Sequence, residues 1–144
     1  MSESKIAEQE AYDHLSSNYA MDGNSAFTLQ HVVDAYAAQQ ATSASKPIAL
    51  FFALVGLCLR VEKGLTGKQV QHVHQLLARR KQDWPRIEIP QSRGGSISAI
   101  DVVGKSVGSE RDAAVDRWCT EVWNMYRESH ETIRREMRAR GLDL

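Results

Sequence analysis

The chain has 144 residues, of which 42% are hydrophobic and 25% are charged, a composition typical of one globular domain. Its 18 basic and 18 acidic residues give zero formal net charge, so no net field favours nucleic acid or an anionic membrane surface. We therefore expect a single domain over residues 1–144, with frayed ends at 1–4 and 141–144, that binds neither nucleic acid nor a membrane.

Apolar residues at helical spacing predict four helices in the first part of the chain. Pro47 suits the first turn of the third helix, and Gly64 suits its end. Thr66 and Gln69 have the spacing of a capping box, which marks the start of the fourth helix. The four predicted helices cover residues 4–20, 27–41, 47–63 and 66–82.

The segment 83–107 contains two prolines and three glycines, and it is too long for a simple connection between helices. We predict a structured loop there, with a short strand or helical turn at 97–103. Ser109 and Asp112 have capping spacing, and a long apolar stripe predicts a fifth helix over 109–140. The predicted fold is all-α, a bundle-like domain of five helices.

The longest uncharged apolar run covers residues 48–59, which is shorter than the roughly 20 residues that a membrane-spanning helix needs. It predicts a buried core helix. Cys58 and Cys119 lie in apolar helical runs and outside any metal-binding spacing. Reduced, buried thiols of this kind are typical of a cytoplasmic protein.

His31 and Asp34 lie one turn apart in the second predicted helix. Projection at 100° per residue places both opposite the broad apolar face, against solvent or at the wall of a cleft. That apolar face comprises Leu29, Val32, Val33 and Tyr36. Two interpretations remain open: a structural pair in which Asp34 fixes the tautomer of His31, or part of a site that binds a ligand or moves a proton.

His31, Asp34, His74 and His130 come from three predicted helices, as the ligands of metal sites in helical bundles do. Imidazole and carboxylate groups suit zinc, iron or nickel. Local metal signatures such as His-Glu-x-x-His are absent. The alternative is that His74 and His130 are core histidines satisfied by their neighbours. We expect no cofactor, with a divalent metal as the alternative.

The segment H-V-V-D-A-Y-A-A-Q at 31–39 resembles the central motif of an uncharacterised bacterial family of small helical proteins. Further similarities are L-C-L-R-V-E-K-G at 57–64, W-P at 84–85, I-S-A-I-D-V at 97–102 and the run W-C-T-E-V-W…H-E-T-I-R-R at 118–135. Relatives begin with a Cys-x-x-Cys segment that this chain lacks, so a zinc role of that segment does not transfer. The resemblance implies no activity. It implies shared polar positions at His31, Asp34, Tyr36, Asp101 and His130.

Two functions follow from these patterns. The first is a non-catalytic helical module for protein interaction or small-ligand binding, which we expect to self-associate as a homo-oligomer. The second is a metal-dependent enzyme with a His/Asp site between helices. Its candidate catalytic residues are His31, Asp34, Tyr36, Asp101 and His130, and its candidate metal ligands are His31, Asp34, His74 and His130.

Overall fold

The computed structural model describes residues 3–21, 26–80, 83–91 and 97–142. Within these ranges the chain is all-helical, as predicted, but it forms seven α-helices and one 3₁₀ turn instead of five helices. The α-helices are α1 (Glu3–Met21), α2 (Leu29–Gln39), α3 (Pro47–Lys63), α4 (Gly67–Ala78), α5 (Ala99–Val103), α6 (Ser109–Met125) and α7 (His130–Ala139). Residues 1–2 and 143–144 of the predicted frayed ends lie outside the described ranges, while Glu3 already belongs to α1.

The predicted signals at the two ends of α3 are confirmed. Pro47 is its first residue, and Gly64 follows its last turn with φ +69°, a left-handed conformation that glycine adopts without a steric penalty. The capping box that opens α4 is confirmed as well. The backbone N–H of Gln69 donates to Thr66 Oγ1 at 3.2 Å, and the N–H of Thr66 donates to Gln69 Oε1 at 2.8 Å.

The predicted loop 83–107 contains the short helix α5, so the helical turn was the right alternative at 97–103. The backbone N–H of Ser98 donates to the Asp101 carboxylate at 2.9 Å and caps α5. Residues 83–91 form neither helix nor strand, and residues 92–96 lie outside the described ranges. The buried Arg111 donates to the carbonyl of Val103 at 2.8 Å, which attaches the end of α5 to α6.

The prediction of one helix over 109–140 is wrong, because α6 ends at Met125 and the 3₁₀ turn Arg127–Ser129 precedes α7. Tyr126 stands at the break, and its hydroxyl donates to the carbonyl of Ala38 in α2 at 2.6 Å. The break contains no proline or glycine, the residues that usually interrupt a helix. It coincides instead with this tertiary contact of Tyr126. Ser109 is also not the cap of α6: Gly108 precedes the helix, and Asp112 instead accepts a hydrogen bond from Tyr19 at 2.7 Å.

The core is centred on α3, whose buried residues lie on every side of the helix. Leu50, Phe51, Ala53, Leu54, Val55, Gly56, Leu57, Cys58 and Leu59 are all buried. α2 and α6 pack against this helix, and Trp118, Trp123 and Tyr126 are the largest fully buried side chains. Both cysteines are buried and free. None of the helices in the described part of the chain has the length and hydropathy needed to cross a bilayer.

Arg140 fixes the segment that follows α4 to the core. Its guanidinium group lies over the rings of Phe51 and Trp84, at 5.3 and 5.5 Å from their centroids. It also donates to the carbonyl of Asp83 at 2.9 Å and forms an ion pair with Glu136. A buried arginine with these partners holds residues 83–84 in place from the C-terminal end of α7.

We predict that Leu54→Asp abolishes stable folding, because it places an unpaired carboxylate in a fully buried position of α3 at a cost of several kcal/mol. Thermal unfolding followed by circular dichroism measures the effect. The control is Ile48→Asp in the first turn of the same helix, where the side chain is 38% exposed. Equal melting temperatures for the Leu54 variant and the wild-type protein would contradict the central position of α3.

Candidate functional site

The face of α2 that carries His31 and Asp34 is buried, not exposed. His31 is 4% exposed and Asp34 is 3% exposed, and Ala35 and Ala38 beside them are buried too. Of the four residues predicted to form the core face, Val32 is fully buried, whereas Leu29, Val33 and Tyr36 are only half-buried. The predicted orientation of α2 is therefore wrong. The small alanines let neighbouring helices approach this face closely, and close helix packing decides the orientation.

Asp34 lies against the backbone of α3 at Gly56. A Cβ atom at Gly56 would stand only 1.9 Å from Asp34 Oδ2, so the carboxyl group occupies the space that the glycine leaves free. Asp34 Oδ1 accepts a hydrogen bond from Gln30 at 3.0 Å, whereas Oδ2 has no partner in the described part of the chain. Burial raises the pKa of Asp34 well above its ordinary value, and the Gln30 hydrogen bond only partly opposes that effect. Burial therefore favours the uncharged, protonated form of Asp34.

His31 is also neutral in the core. Its pKa is lowered to about 4, mainly by burial and also by the charge of Arg60, while Asp116 opposes the shift in part. Arg60 and Asp116 form an ion pair with an N–O distance of 2.8 Å. The ring atom Nδ1 of His31 has no hydrogen-bond partner within the ranges that the structure describes, while its backbone carbonyl accepts a hydrogen bond from the thiol of Cys119 at 3.7 Å.

The hydrogen bond between His31 and Asp34 that the structural interpretation predicts is not formed, since His31 Nδ1 and Asp34 Oδ2 both lack a partner among the described residues. The two side chains share a buried face without interacting through these atoms. Unsatisfied buried polar atoms are costly, so the structure offers no stability gain that accounts for this pair of residue types.

His74 and His130 are held by separate backbone carbonyls. Nε2 of His74 donates to the carbonyl of Phe52 at 2.7 Å, and its ring stacks on Phe52 with centroids 5.4 Å apart. Nε2 of His130 donates to the carbonyl of Trp123 at 2.7 Å, and its ring stacks on Trp123 at 3.8 Å. These contacts are the ones expected if both histidines are core residues satisfied by their neighbours.

The two remaining candidates, Tyr36 and Asp101, contact different residues from those that hold His74 and His130. The Tyr36 ring stacks on Tyr12 at 4.0 Å, and its hydroxyl donates to Gln9 at 3.1 Å. Asp101 caps α5. In the described ranges, no group of three or more His, Cys, Asp or Glu side chains is arranged to hold a metal ion. The structure thus keeps the candidate residues of the predicted site apart from one another, with only His31 and Asp34 on a common face.

Glu62 is a polar centre that sequence reasoning missed. It accepts hydrogen bonds from Trp123 at 3.0 Å and from Arg134 at 2.5 and 3.0 Å. The hydrogen bonds from Arg134 lower the pKa of Glu62. The break between α6 and α7 brings Trp123, His130 and Arg134 to the end of α3. Because the sequence did not predict this break, it gave no indication that these residues meet Glu62.

Two recesses open at the surface of the described residues. The first, which we call the 88–91 cleft, has a volume of about 830 Å³ and lies between residues 88–91 and the junction of α6 with the 3₁₀ turn. Its lining comprises Glu88, Ile89, Pro90, Gln91, Glu121, Asn124, Met125, Tyr126, Arg127, Glu128 and Ser129. The second recess, about 610 Å³ in volume, lies beside α4 between Leu65 and Gln75. Neither recess is lined by His31, Asp34, His74 or His130.

Comparison with known proteins places the chain in a family. Residues 9–127 match the model described as a family of unknown function, DUF5946, and the chain belongs to that family. The match includes the motif at 31–39 and the segment at 97–102, which carried the resemblance to an uncharacterised family. No curated protein and no solved structure matches the chain.

We predict opposite pH dependences for two variants of the buried face. In the wild-type protein, folded His31 does not bind the proton that the unfolded chain binds below pH 6.5. The free energy of unfolding therefore decreases, through His31, as pH falls from 6.5 towards 4. Folded Asp34 keeps a proton that the unfolded chain releases above pH 3.8. The free energy of unfolding therefore decreases, through Asp34, as pH rises. The two effects oppose each other between pH 4 and 6.5.

The measurement is the free energy of unfolding by urea at several pH values. Asp34→Asn keeps only the His31 effect, so its stability should rise with pH more steeply than that of the wild-type protein, and the His31 effect accounts for up to roughly 3 kcal/mol over this interval. His31→Gln keeps only the Asp34 effect, so its stability should fall relative to the wild-type protein as pH rises. Parallel curves for both variants would contradict the assigned protonation states.

We predict that Gly56→Ala is strongly destabilising because the added methyl group overlaps the Asp34 carboxyl group. A double-mutant cycle with Asp34→Ala isolates this contact. In the Asp34→Ala background the same glycine substitution should cost at least about 1 kcal/mol less, since the overlapping atoms are gone. Additive effects in urea unfolding would show that the two residues are not in contact.

Proposed function

We propose that this member of the DUF5946 family is a non-catalytic helical module that binds another molecule at its surface. The observation that carries the proposal is that the candidates for chemistry are held by different neighbours in the described ranges. His74 and His130 donate to backbone carbonyls, and Asp101 caps a helix. Groups that act together in catalysis must instead converge on one reacting atom.

The buried face of α2 supports the same proposal. A substrate must reach a catalytic group, yet His31 and Asp34 are at least 96% buried, and neither lines a recess described above. The thiols offer no nucleophile either, because burial raises the pKa of Cys58 to about 12 and also raises that of Cys119. Two free, buried cysteines are in keeping with a reducing compartment, and we place the module in the cytoplasm as part of the proposal.

The 88–91 cleft is the surface that we assign to binding. It combines apolar groups at Ile89 and Met125 with the polar side chains of Asn124 and Arg127. A recess of this volume with mixed lining suits a ligand or a segment of a partner protein. The backbone of residues 88–91 forms one wall, so a binding partner can meet main-chain as well as side-chain groups.

We predict that protein purified without an affinity tag contains far less than one transition-metal ion per chain by elemental analysis. His31→Ala and His130→Ala should leave that content unchanged, since neither ring belongs to a group of three or more ligating side chains in the described ranges. His72→Ala, at an exposed position of α4, is the control. Near-stoichiometric metal that is lost in the His31 variant and kept in the His72 variant would overturn the proposal in favour of the metal-dependent enzyme.

A further inference from the structure

The segment 84–90 presents backbone groups that no other described residue binds. It has the sequence W-P-R-I-E-I-P and forms neither helix nor strand. No backbone hydrogen bond within the described ranges involves it. Arg86 is exposed, Ile87 is buried, Glu88 is exposed and Ile89 is half-buried. This alternation is that of an extended chain, and prolines at 85 and 90 favour extended conformations in the residues before them.

Extended backbone with unused N–H and C=O groups can pair with a second strand. The two prolines limit how such pairing can run, because a proline has no N–H to donate. In an antiparallel pair centred on Ile87, residue 86 lies opposite 88, and residue 85 lies opposite 89. If Arg86 and Glu88 take the hydrogen-bonded positions, Pro85 falls at a position where no N–H is required.

The charges in this segment select the partner strand. In the pairing centred on Ile87, Arg86 lies opposite Glu88 of the partner subunit, and Glu88 lies opposite the partner's Arg86. Opposite charges at directly facing positions stabilise an antiparallel pair. A register centred on Glu88 would instead place two glutamates against each other. The sequence R-I-E is therefore complementary to itself in one antiparallel register.

We infer that residues 86–89 pair with the same residues of a second copy of this chain, forming a two-stranded antiparallel ribbon across a two-fold axis at Ile87. The inference rests on the proposed binding role of the 88–91 cleft and names its occupant. The ribbon has four backbone hydrogen bonds, two between Arg86 and the partner's Glu88 and two related by symmetry. Ile89 is covered by the partner's Pro85.

The cleft supplies the space and further charge complementarity. It opens beside Glu88 and Ile89, where the second strand must lie, and Glu128 is also part of its lining. The partner's Arg86 thus enters a region with more than one carboxylate. Four hydrogen bonds and two charge pairs over a small area give a weak dimer, with Kd on the order of 0.1 mM.

The test is sedimentation equilibrium of the full chain up to about 1 mM, roughly ten times the expected Kd. Arg86→Glu and Glu88→Arg each replace two attractive pairs by two repulsive ones and should raise Kd about tenfold. The double variant R86E/E88R restores opposite charges with reversed sense and should return Kd to near the wild-type value. Arg135→Glu, at an exposed position of α7, is the matched control and should leave Kd unchanged.

Hydrogen exchange followed by NMR tests the register. The amides of Arg86 and Glu88 should be protected in concentrated but not in dilute wild-type protein, while the amides of Ile87 and Ile89 show no such dependence. Circular dichroism melting of each variant separates loss of pairing from loss of fold.

A wild-type chain that stays monomeric at about 1 mM would overturn this inference. A dimer that is insensitive to the charge variants, or a double variant that is not rescued, would overturn it as well. Each of these results leaves the non-catalytic proposal standing, which only a stoichiometric metal site at His31 would overturn.

Discussion

The contact between the Asp34 carboxyl group and Gly56 determines how α2 meets the central helix. Because position 56 has no side chain, a carboxyl group fits where a methyl group would otherwise stand. This places a polar residue, and the alanines beside it, on the inner face of α2. The larger apolar residues Leu29 and Val33 are consequently displaced to half-buried positions. The orientation of α2 depends on this one close approach more than on its average hydrophobicity.

That orientation has an electrostatic cost. Burial favours the uncharged form of the Asp34 carboxyl group, and it favours the neutral imidazole of His31 too, because it shifts the pKa of each group in that direction. Each side chain also keeps a buried atom without a hydrogen bond to any described residue. A core made only for stability would avoid these atoms. The fold tolerates them because α3 and α6 surround α2 with large apolar surfaces, including fully buried Leu54 and Trp118.

Local signals in the sequence predicted the elements whose ends are determined by neighbouring residues. Pro47, Gly64 and the Thr66–Gln69 capping box are such signals, and α3 and the start of α4 were predicted correctly. The break at Tyr126 could not be predicted, since it coincides with a hydrogen bond to Ala38, 88 residues away. The inner face of α2 could not be predicted either. Helical projection ranks faces by hydrophobicity, whereas a glycine on another helix made the polar face the one that packs.

The position of Arg140 near the end of α7 affects the order in which parts of the fold can assemble during synthesis. Its guanidinium group contacts the rings of Phe51 and Trp84 and donates to the carbonyl of Asp83. Those partners precede it by more than fifty residues in the chain. A nascent chain can therefore assemble α2 and α3 while residues 83–84 still lack this anchor. They acquire it only after Arg140 has left the ribosome, so residues 83–84 are anchored later than the helices that they contact.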